Sequence, residues 1–435
     1  MKRRTQFSLT LVILFLFVIS SVGLPRSYAM VPSSGQLSQL NRLGDPKISA
    51  VLDLIDEDLL REYLTTLVGF APRMTGTYGC EKSAEYMHEQ FHNMGLESRL
   101  QNWTAFGNIY HPLIFTSQNV EGILPGDDPT DDSVLVFGAH YDTVRTTPGA
   151  NDDGSGTAAV LAAAYALSHF SFQRTIKFVA FAGEEIGLRG SQAYAKEAYQ
   201  NQENIMLDIQ ADMIGHATTL EGSHRMGLTV TEDAPWVFDV FETINTDFEF
   251  GFNFSKGDIG RTGKGYSDYF PFVEYGWEAL ACWDGEHDPA MHSADDNLDN
   301  INFSYLVNTT KIIAGSLAYL ADTTETYPQV QIESPRFGFL YRNGMIKRTI
   351  KDLKITVLND IWIWAEVKYA TAPINHAEFY YDDTLVFTDT EAPFKWECNI
   401  RSVRTHRITV IVYDELGRKS TDWRDIRFIN LLLKR

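Results

Sequence analysis

Three apolar runs, Val134 to Ala139, Ile176 to Ala182 and Asn204 to Ala211, alternate with two helical segments, Ser155 to Leu167 and Leu188 to Tyr199. Parallel neighbours need a crossover long enough to hold a helix, so this order predicts a parallel sheet covered on both faces. The first crossover carries Ala158, Ala159, Ala162, Ala163, Ala164 and Ala166, small side chains that let a helix approach a sheet closely. Upstream, an apolar period of 3.6 predicts one amphipathic helix from Asp45 to Phe70, and a second runs from Glu81 to Met94, closed by Gly95. Between Gly215 and Asn300 the pattern weakens to loops and short elements, with one apolar run at Ala279 to Trp283. A helix from Phe303 to Ala321 ends the region.

At Thr323 to Pro328 the composition shifts to that of a linker. Beyond it, Ile355 to Leu358, Ile361 to Val367, Ala377 to Tyr381, Thr384 to Phe387 and Ile408 to Tyr413 are separated by Asp, Gly, Pro and Asn turns. Short strands at regular spacing predict an all-β, immunoglobulin-like sandwich. The expected organisation is an α/β domain over residues 45–325 followed by a sandwich over 328–435.

The N-terminus reads as an export signal over residues 1–29. Lys2, Arg3 and Arg4 precede an apolar run from Phe7 to Ile19, and Ser27-Tyr28-Ala29 offers small residues where a signal peptidase cuts. The competing reading is an uncleaved membrane anchor, since extending the run to Leu24 reaches the lower length limit of a spanning helix. The expected location is thus secreted or cell-surface. Cys80, Cys282 and Cys398 lie far apart, with no Cys-x-x-Cys pair to indicate a thiolate metal site. The formal net charge is -20, and a surplus of carboxylates argues against nucleic acid as a partner. With 44% apolar residues the chain is too hydrophobic to be disordered. Nothing in the sequence sets an oligomeric state.

The informative residues lie just past the predicted strands, where ligands of open α/β sheets gather. The first run leads into His140-Tyr141-Asp142, the second into Gly183-Glu184-Glu185, and the third into Asp212. The turn before the Ala-rich helix is Gly149-Ala150-Asn151-Asp152-Asp153-Gly154-Ser155-Gly156, and His292-Ser293-Ala294-Asp295-Asp296 follows later. Each element alone is a common surface feature. Together they converge several carboxylates in a region without a nearby Lys or Arg, and such a cluster repels itself unless a cation neutralises it. Oxygen and imidazole donors without thiolate suit zinc, manganese or cobalt. Two divalent ions about 3.5–4 Å apart, bridged by a carboxylate, generate hydroxide at neutral pH and polarise a carbonyl. The Glu184-Glu185 doublet fits that scheme, one member binding metal and the other left as general base.

At these residues the chain resembles the zinc aminopeptidase family, of the aminopeptidase S, aminopeptidase Y and bacterial leucyl aminopeptidase type. The matching stretches are Gly138 to Thr143, Gly149 to Gly156, Phe181 to Leu188, Asp212 to Gly215 and His292 to Asp296, in the family's order. The resemblance implies a mixed, mostly parallel zinc-exopeptidase sheet flanked by helices, with two zinc ions per chain. His140 and Asp212 would hold one ion, Glu185 and His292 the other, and Asp152 both. Glu184 would be the general base, and Asp142 would orient His140 through its other ring nitrogen. Asp153 would shape its loop without binding metal. His287 is a rival to His292 but lies outside the matching stretch. Where the family often has Ser-Asp-His, this chain has Ser267-Asp268-Tyr269. That departure bears on the substrate side, where Tyr266 and Asp268 are the expected contacts, Tyr266 as donor to the oxyanion.

The implied activity is an exported metallo-aminopeptidase acting on peptide or protein N-termini. Two alternatives share the fold: a single-zinc glutaminyl cyclase and a carboxypeptidase. A third, a non-catalytic binding protein like the protease-like domain of the transferrin receptor, would have lost its ligands, and here the ligand positions are intact. The aromatics Trp236, Phe250, Phe252, Phe254 and Trp283 could line a substrate pocket or form core.

Overall fold

A computed structural model of the chain describes residues 44–231, 234–259, 267–323, 327–350 and 353–430. The expected export signal at residues 1–29 and the expected substrate contact Tyr266 lie outside these residues. Among the described residues no helix is long and apolar enough to cross a membrane.

The single helix expected from Asp45 to Phe70 is two, α1 (Pro46–Leu52) and α2 (Glu57–Gly69). Asp56 caps the second, its carboxylate accepting from the Leu59 N–H at 2.9 Å. Ile55, in the break, is fully buried, so the apolar period runs on through a backbone that does not. Then come α3 (Tyr78–Asn93) and an antiparallel hairpin of β1 (Glu97–Phe106) and β2 (Ile114–Leu124). The expected alternation follows: β3 (Ser133–His140), α4 (Gly154–Leu167), β4 (Thr175–Phe181), α5 (Arg189–Gln200) and β5 (Asn204–Ala211). The weakly patterned region holds β6 (Arg225–Thr231), α6 (Trp236–Asp247), β7 (Asn253–Ile259), α7 (Phe270–Tyr275) and β8 (Ala279–Asp284), and α8 (Phe303–Asp322) closes it.

The eight strands form one mixed sheet in the order β1-β2-β4-β3-β5-β8-β6-β7. Its centre, β4-β3-β5-β8, is parallel, and β2 and β6 flank it antiparallel. After β3 the chain moves one way to β4 and then crosses back to β5 on the other side of β3. That reversal is the switch point at which α/β sheets place their ligands.

Alternation along the strands divides the core between two faces. Leu135, Phe137 and Ala139 of β3, with Ile176, Phe178 and Ala180 of β4, face one cluster, which includes α4 and α8. Val134, Val136, Val179 and Phe181 face the other, with Tyr194 and Tyr199 of α5. α4 lies buried along almost its whole length, which its alanines permit, and Gly156 lets its first turn touch β5. A Cβ on Gly156 would sit 2.4 Å from the Ala211 carbonyl oxygen.

Among the described residues from Gln329 onward every regular element is a strand, in a seven-stranded and a three-stranded sheet. Pairing is mostly antiparallel, with Ile355–Leu358 parallel to both neighbours. This region packs on the second face of the large sheet, where Val330, Ile332 and Phe337 share a cluster with Val134, Tyr199, Tyr275 and Trp277. Tyr199 stacks on Tyr275 at 4.8 Å between centroids, and its hydroxyl accepts from the Phe337 N–H. The Tyr369 hydroxyl donates to the Asn204 carbonyl at 3.0 Å.

Candidate active site

Because β3, β4 and β5 run parallel, their carboxyl ends lie at one edge of the sheet, and so do the residues that follow them. His140 ends β3, Glu184 and Glu185 lie on the turn after β4, and Asp212 follows β5. Asp152 arrives on the turn leading into α4, and His292 on the loop after β8. These side chains form two overlapping triads, His140-Asp152-Asp212 and Asp152-Glu185-His292, in each of which one donor atom per residue lies within 4.8 Å of the others. Asp152 is common to both. Its Oδ1 is 3.3 Å from His140 Nε2 and its Oδ2 is 3.1 Å from His292 Nε2. His140 Nε2 also lies 3.6 Å from Asp212, and His292 Nε2 3.3 Å from Glu185. His287 is exposed and belongs to neither triad.

The electrostatics are those of a cluster built around positive charge. Hydrogen bonds to Asp152 and Glu185 push the His292 imidazole up to about 10. Burial disfavours a charged His140, yet Asp152 and Asp212 outweigh it and its pKa is raised. Burial likewise opposes ionisation of Asp152, but the two imidazoles hold its pKa down. Glu184 and Glu185 are both raised, first of all by burial. Divalent cations seated in the triads would satisfy the same carboxylates and leave both imidazoles neutral, the form in which histidine ligates. The donor set, imidazole nitrogen and carboxylate oxygen without sulfur, fits zinc.

The remaining acids hold backbone. Asp153 accepts from the N–H groups of His140, Gly156 and Met213 at 3.2, 2.9 and 3.1 Å, so it ties the ends of β3 and β5 to the first turn of α4. Asp296 accepts from the N–H groups of Asn151 and Asp152 at 2.6 and 3.2 Å. The expectation for Asp142 changes in detail. His140 Nδ1 sits 3.0 Å from the Asp142 main-chain carbonyl, against 3.8 Å from its carboxylate. That carboxylate instead takes the Glu184 N–H at 3.2 Å and the Thr75 hydroxyl at 2.7 Å, fixing the turn that carries Glu184.

The site does have a neighbouring cation, contrary to the expectation from the sequence. Arg73, fully buried, donates to the carbonyls of Tyr141, Pro148 and Gly149 at 2.8–2.9 Å, beneath the turn that carries Asp152. Its partners are main-chain oxygens some 70 residues away, and no sequence pattern announces them. Gly149, at φ 67°, allows this approach, since a Cβ there would lie 3.0 Å from the guanidinium.

A cavity of about 390 Å³ opens on the triads, lined by His140, Asp152, Glu184, Glu185, Asp212 and His292 together with Asn108, Gly187, Leu188, Met213, Trp283 and Met291. Leu188, Met213 and His292 have φ near +60°, a strained conformation for residues other than glycine. Such strain persists only where the surroundings impose it, and it gathers at functional sites. Of the candidate pocket aromatics, Trp283 lines the cavity, whereas Trp236 and Phe252 belong to the core and the half-buried Phe250 and Phe254 pack against it. Asp268, expected to face substrate, does not line the cavity. It is buried against the Ser191 hydroxyl, and burial pushes it up to about 7. Asn108, Met213 and Met291 escaped the sequence reading, although Met213 and Met291 adjoin ligand-type residues and could have been found on that ground.

A helix-flanked sheet with paired carboxylate–imidazole triads at its switch point is an arrangement suited to holding divalent metal. Residues 119–317 match the model of Peptidase family M28. Among curated relatives, aminopeptidase Y of Saccharomyces cerevisiae is 27% identical over 49% of this chain and 40% of its own length. The chain therefore spans less than half of that relative. Among solved structures, BSAP, a zinc aminopeptidase from Bacillus subtilis, aligns with a TM-score of 0.54 at 19% identity, over 62% of this chain and 97% of that one. A glutaminyl cyclase from Porphyromonas gingivalis aligns with a TM-score of 0.53 at 20% identity, over 61% and 98%. At these identities the two structures establish the fold alone.

Proposed function

We propose that this protein is an exported metallo-aminopeptidase that holds two zinc ions and removes N-terminal residues from peptides. The observation that carries this reading is Asp152, whose two oxygens face two separate triads with Glu184 on the wall of the same cavity. His140 and Asp212 would hold one ion, Glu185 and His292 the other, and Asp152 would join them. Zinc bound there supplies a Lewis acid for the scissile carbonyl and makes water acidic enough to deprotonate near neutral pH. Glu184 takes the proton from the attacking water and delivers it to the leaving amine nitrogen as the C–N bond breaks. Burial raises the Glu184 pKa, which suits a carboxylate that must hold a proton between those two transfers.

The lining favours an amino over a carboxy terminus. Among the described lining residues none is Lys or Arg, so no side chain there pairs with a substrate carboxylate. Export rests on the N-terminal signal alone. The test is Glu184→Ala, which should abolish hydrolysis of aminoacyl amides while zinc content stays near two per chain. Full activity in that variant removes the mechanism, and cleavage of N-blocked peptides by the wild type removes the aminopeptidase assignment. A single bound zinc with cyclisation of N-terminal glutamine would instead support the cyclase alternative.

A further inference from the structure

The loop joining β1 to β2 is apolar and turned outward at the mouth of the cavity. Ile109 is 84% exposed, Tyr110 81%, Leu113 64% and Ile114 74%, and Phe106 extends the same stretch. A run of large exposed hydrophobics of this kind marks a binding surface. The backbone beneath it is preformed. Gly107 N–H donates to the Leu113 carbonyl at 2.9 Å, and Asn108 Oδ1 accepts from the N–H groups of Tyr110 and His111 at 2.9 and 3.0 Å. The loop is also fastened to the site. Arg189 Nη2 donates to the Gly107 carbonyl at 3.2 Å, and Asn108 Nδ2 reaches the carbonyl of Glu185, one of the triad residues, at 3.5 Å.

We propose that residues 106–114 form a wall that binds apolar side chains of the substrate on the leaving-group side of the scissile bond. This rests on the aminopeptidase reading. On that reading the cavity takes the N-terminal residue, so the rest of the peptide leaves through the open mouth, whose lining includes Asn108. An extended chain advances about 3.3–3.6 Å per residue, so the first two or three residues beyond the bond fall within reach of the rim. A membrane is the weaker occupant, because the stretch contains no Lys or Arg and the chain carries a net charge of -20. The wall would make the enzyme select peptides with apolar residues after the bond.

The double variant Ile109→Ser/Tyr110→Ser tests this in the zinc-loaded full chain, with three substrates sharing the N-terminal residue that an aminoacyl amide panel favours. These are the amide itself, a tripeptide ending Gly-Gly and one ending Leu-Phe. Wild type should prefer the Leu-Phe peptide, and the variant should lose about tenfold in kcat/KM on it, through KM, the range expected for lost apolar contacts. The amide and Gly-Gly rates should not change. A wild type without that preference, or a variant that weakens all three substrates equally, overturns the wall. So does unchanged selectivity accompanied by loss of self-association or of binding to phosphatidylcholine vesicles. A wild type that hydrolyses none of the three fails at the amide, which removes the aminopeptidase reading and the wall with it.

Discussion

Replacing Arg73 with Met should destabilise the protein even though Arg73 touches no substrate. The guanidinium is fully buried and makes three short hydrogen bonds to the carbonyls of Tyr141, Pro148 and Gly149. Methionine fills much of the volume but leaves the Tyr141 and Pro148 oxygens without this donor, at about 1–3 kcal/mol each, whereas the Gly149 oxygen keeps the Gly154 N–H. Removing a buried charge returns part of its desolvation cost, so the net loss should lie near the low end, about 3 kcal/mol. The unit concerned spans residues 42–435, and at about 2 cal/mol/K of unfolding entropy per residue this corresponds to a fall in Tm of about 4 °C. The assay is thermal unfolding by circular dichroism in excess chelator, so that metal binding does not contribute. Arg73→Lys keeps the charge but cannot reach three carbonyls at once, and should fall between the two. An Arg73→Met protein that melts with the wild type would refute the view that this residue holds the turn, and so would a Lys variant worse than Met.

Two further predictions concern metal uptake. In the metal-free protein the His292 pKa is pushed up to about 10, above the ordinary value near 6.5, so the stability it contributes is complete below about pH 6.5 and lost as pH rises through about 10. Zinc needs the neutral ring, so loading at about pH 7.5 should release at least about one proton per chain, measured calorimetrically in buffers of different ionisation enthalpy. No proton release, or release unchanged in His292→Gln, would contradict this. The second contrasts two carboxylates. Asp153 accepts N–H groups on both oxygens, so in Asp153→Asn the amide NH2 must face a donor in either orientation, and zinc affinity should fall about 10–100-fold in chelator competition. Asp142 faces a main-chain N–H on one oxygen and the Thr75 hydroxyl on the other, which can turn to accept, so Asp142→Asn should bind zinc nearly as wild type. Equal losses in the two variants would show that charge, not hydrogen-bond direction, is what these acids supply.

What was legible in the sequence follows from burial. β3, β4 and β5 are covered on both faces and therefore read as unbroken apolar runs, and the residues just past them are the ones brought together at the triads. Elements at the margins of the sheet were not legible for the converse reason. β7 is half exposed, and β1 alternates too weakly to stand out from loop. Residue type alone did not separate acids that face the triads from acids that hold backbone; it was the resemblance that assigned Asp152 to metal and Asp153 to its loop. For Asp142 and Asp296 the direction of their oxygens was needed, since both turn out to accept main-chain N–H groups. Arg73 and Asn108 act through main-chain oxygens of distant turns, an interaction that leaves no residue pattern.

The position of the C-terminal sheets follows from the same face-by-face reading. A parallel sheet with apolar residues on both sides must be covered on both. Helices cover the Leu135–Phe137 side fully, but on the other side α5 and the short α7 leave Val134 and Val136 needing further cover. Val330 and Ile332 of the first C-terminal strand join that cluster, and Phe337 packs on Tyr199 and Tyr275 from the same helices. Beneath them the buried pair Asp422–Arg424 lies against Gly276, where a Cβ would come within 2.8 Å of the carboxylate. The C-terminal strands thus complete the core of the sheet whose opposite edge carries the triads. Their contribution to catalysis is therefore expected to run first through the rigidity of β3 and α5, before any contact they make with substrate.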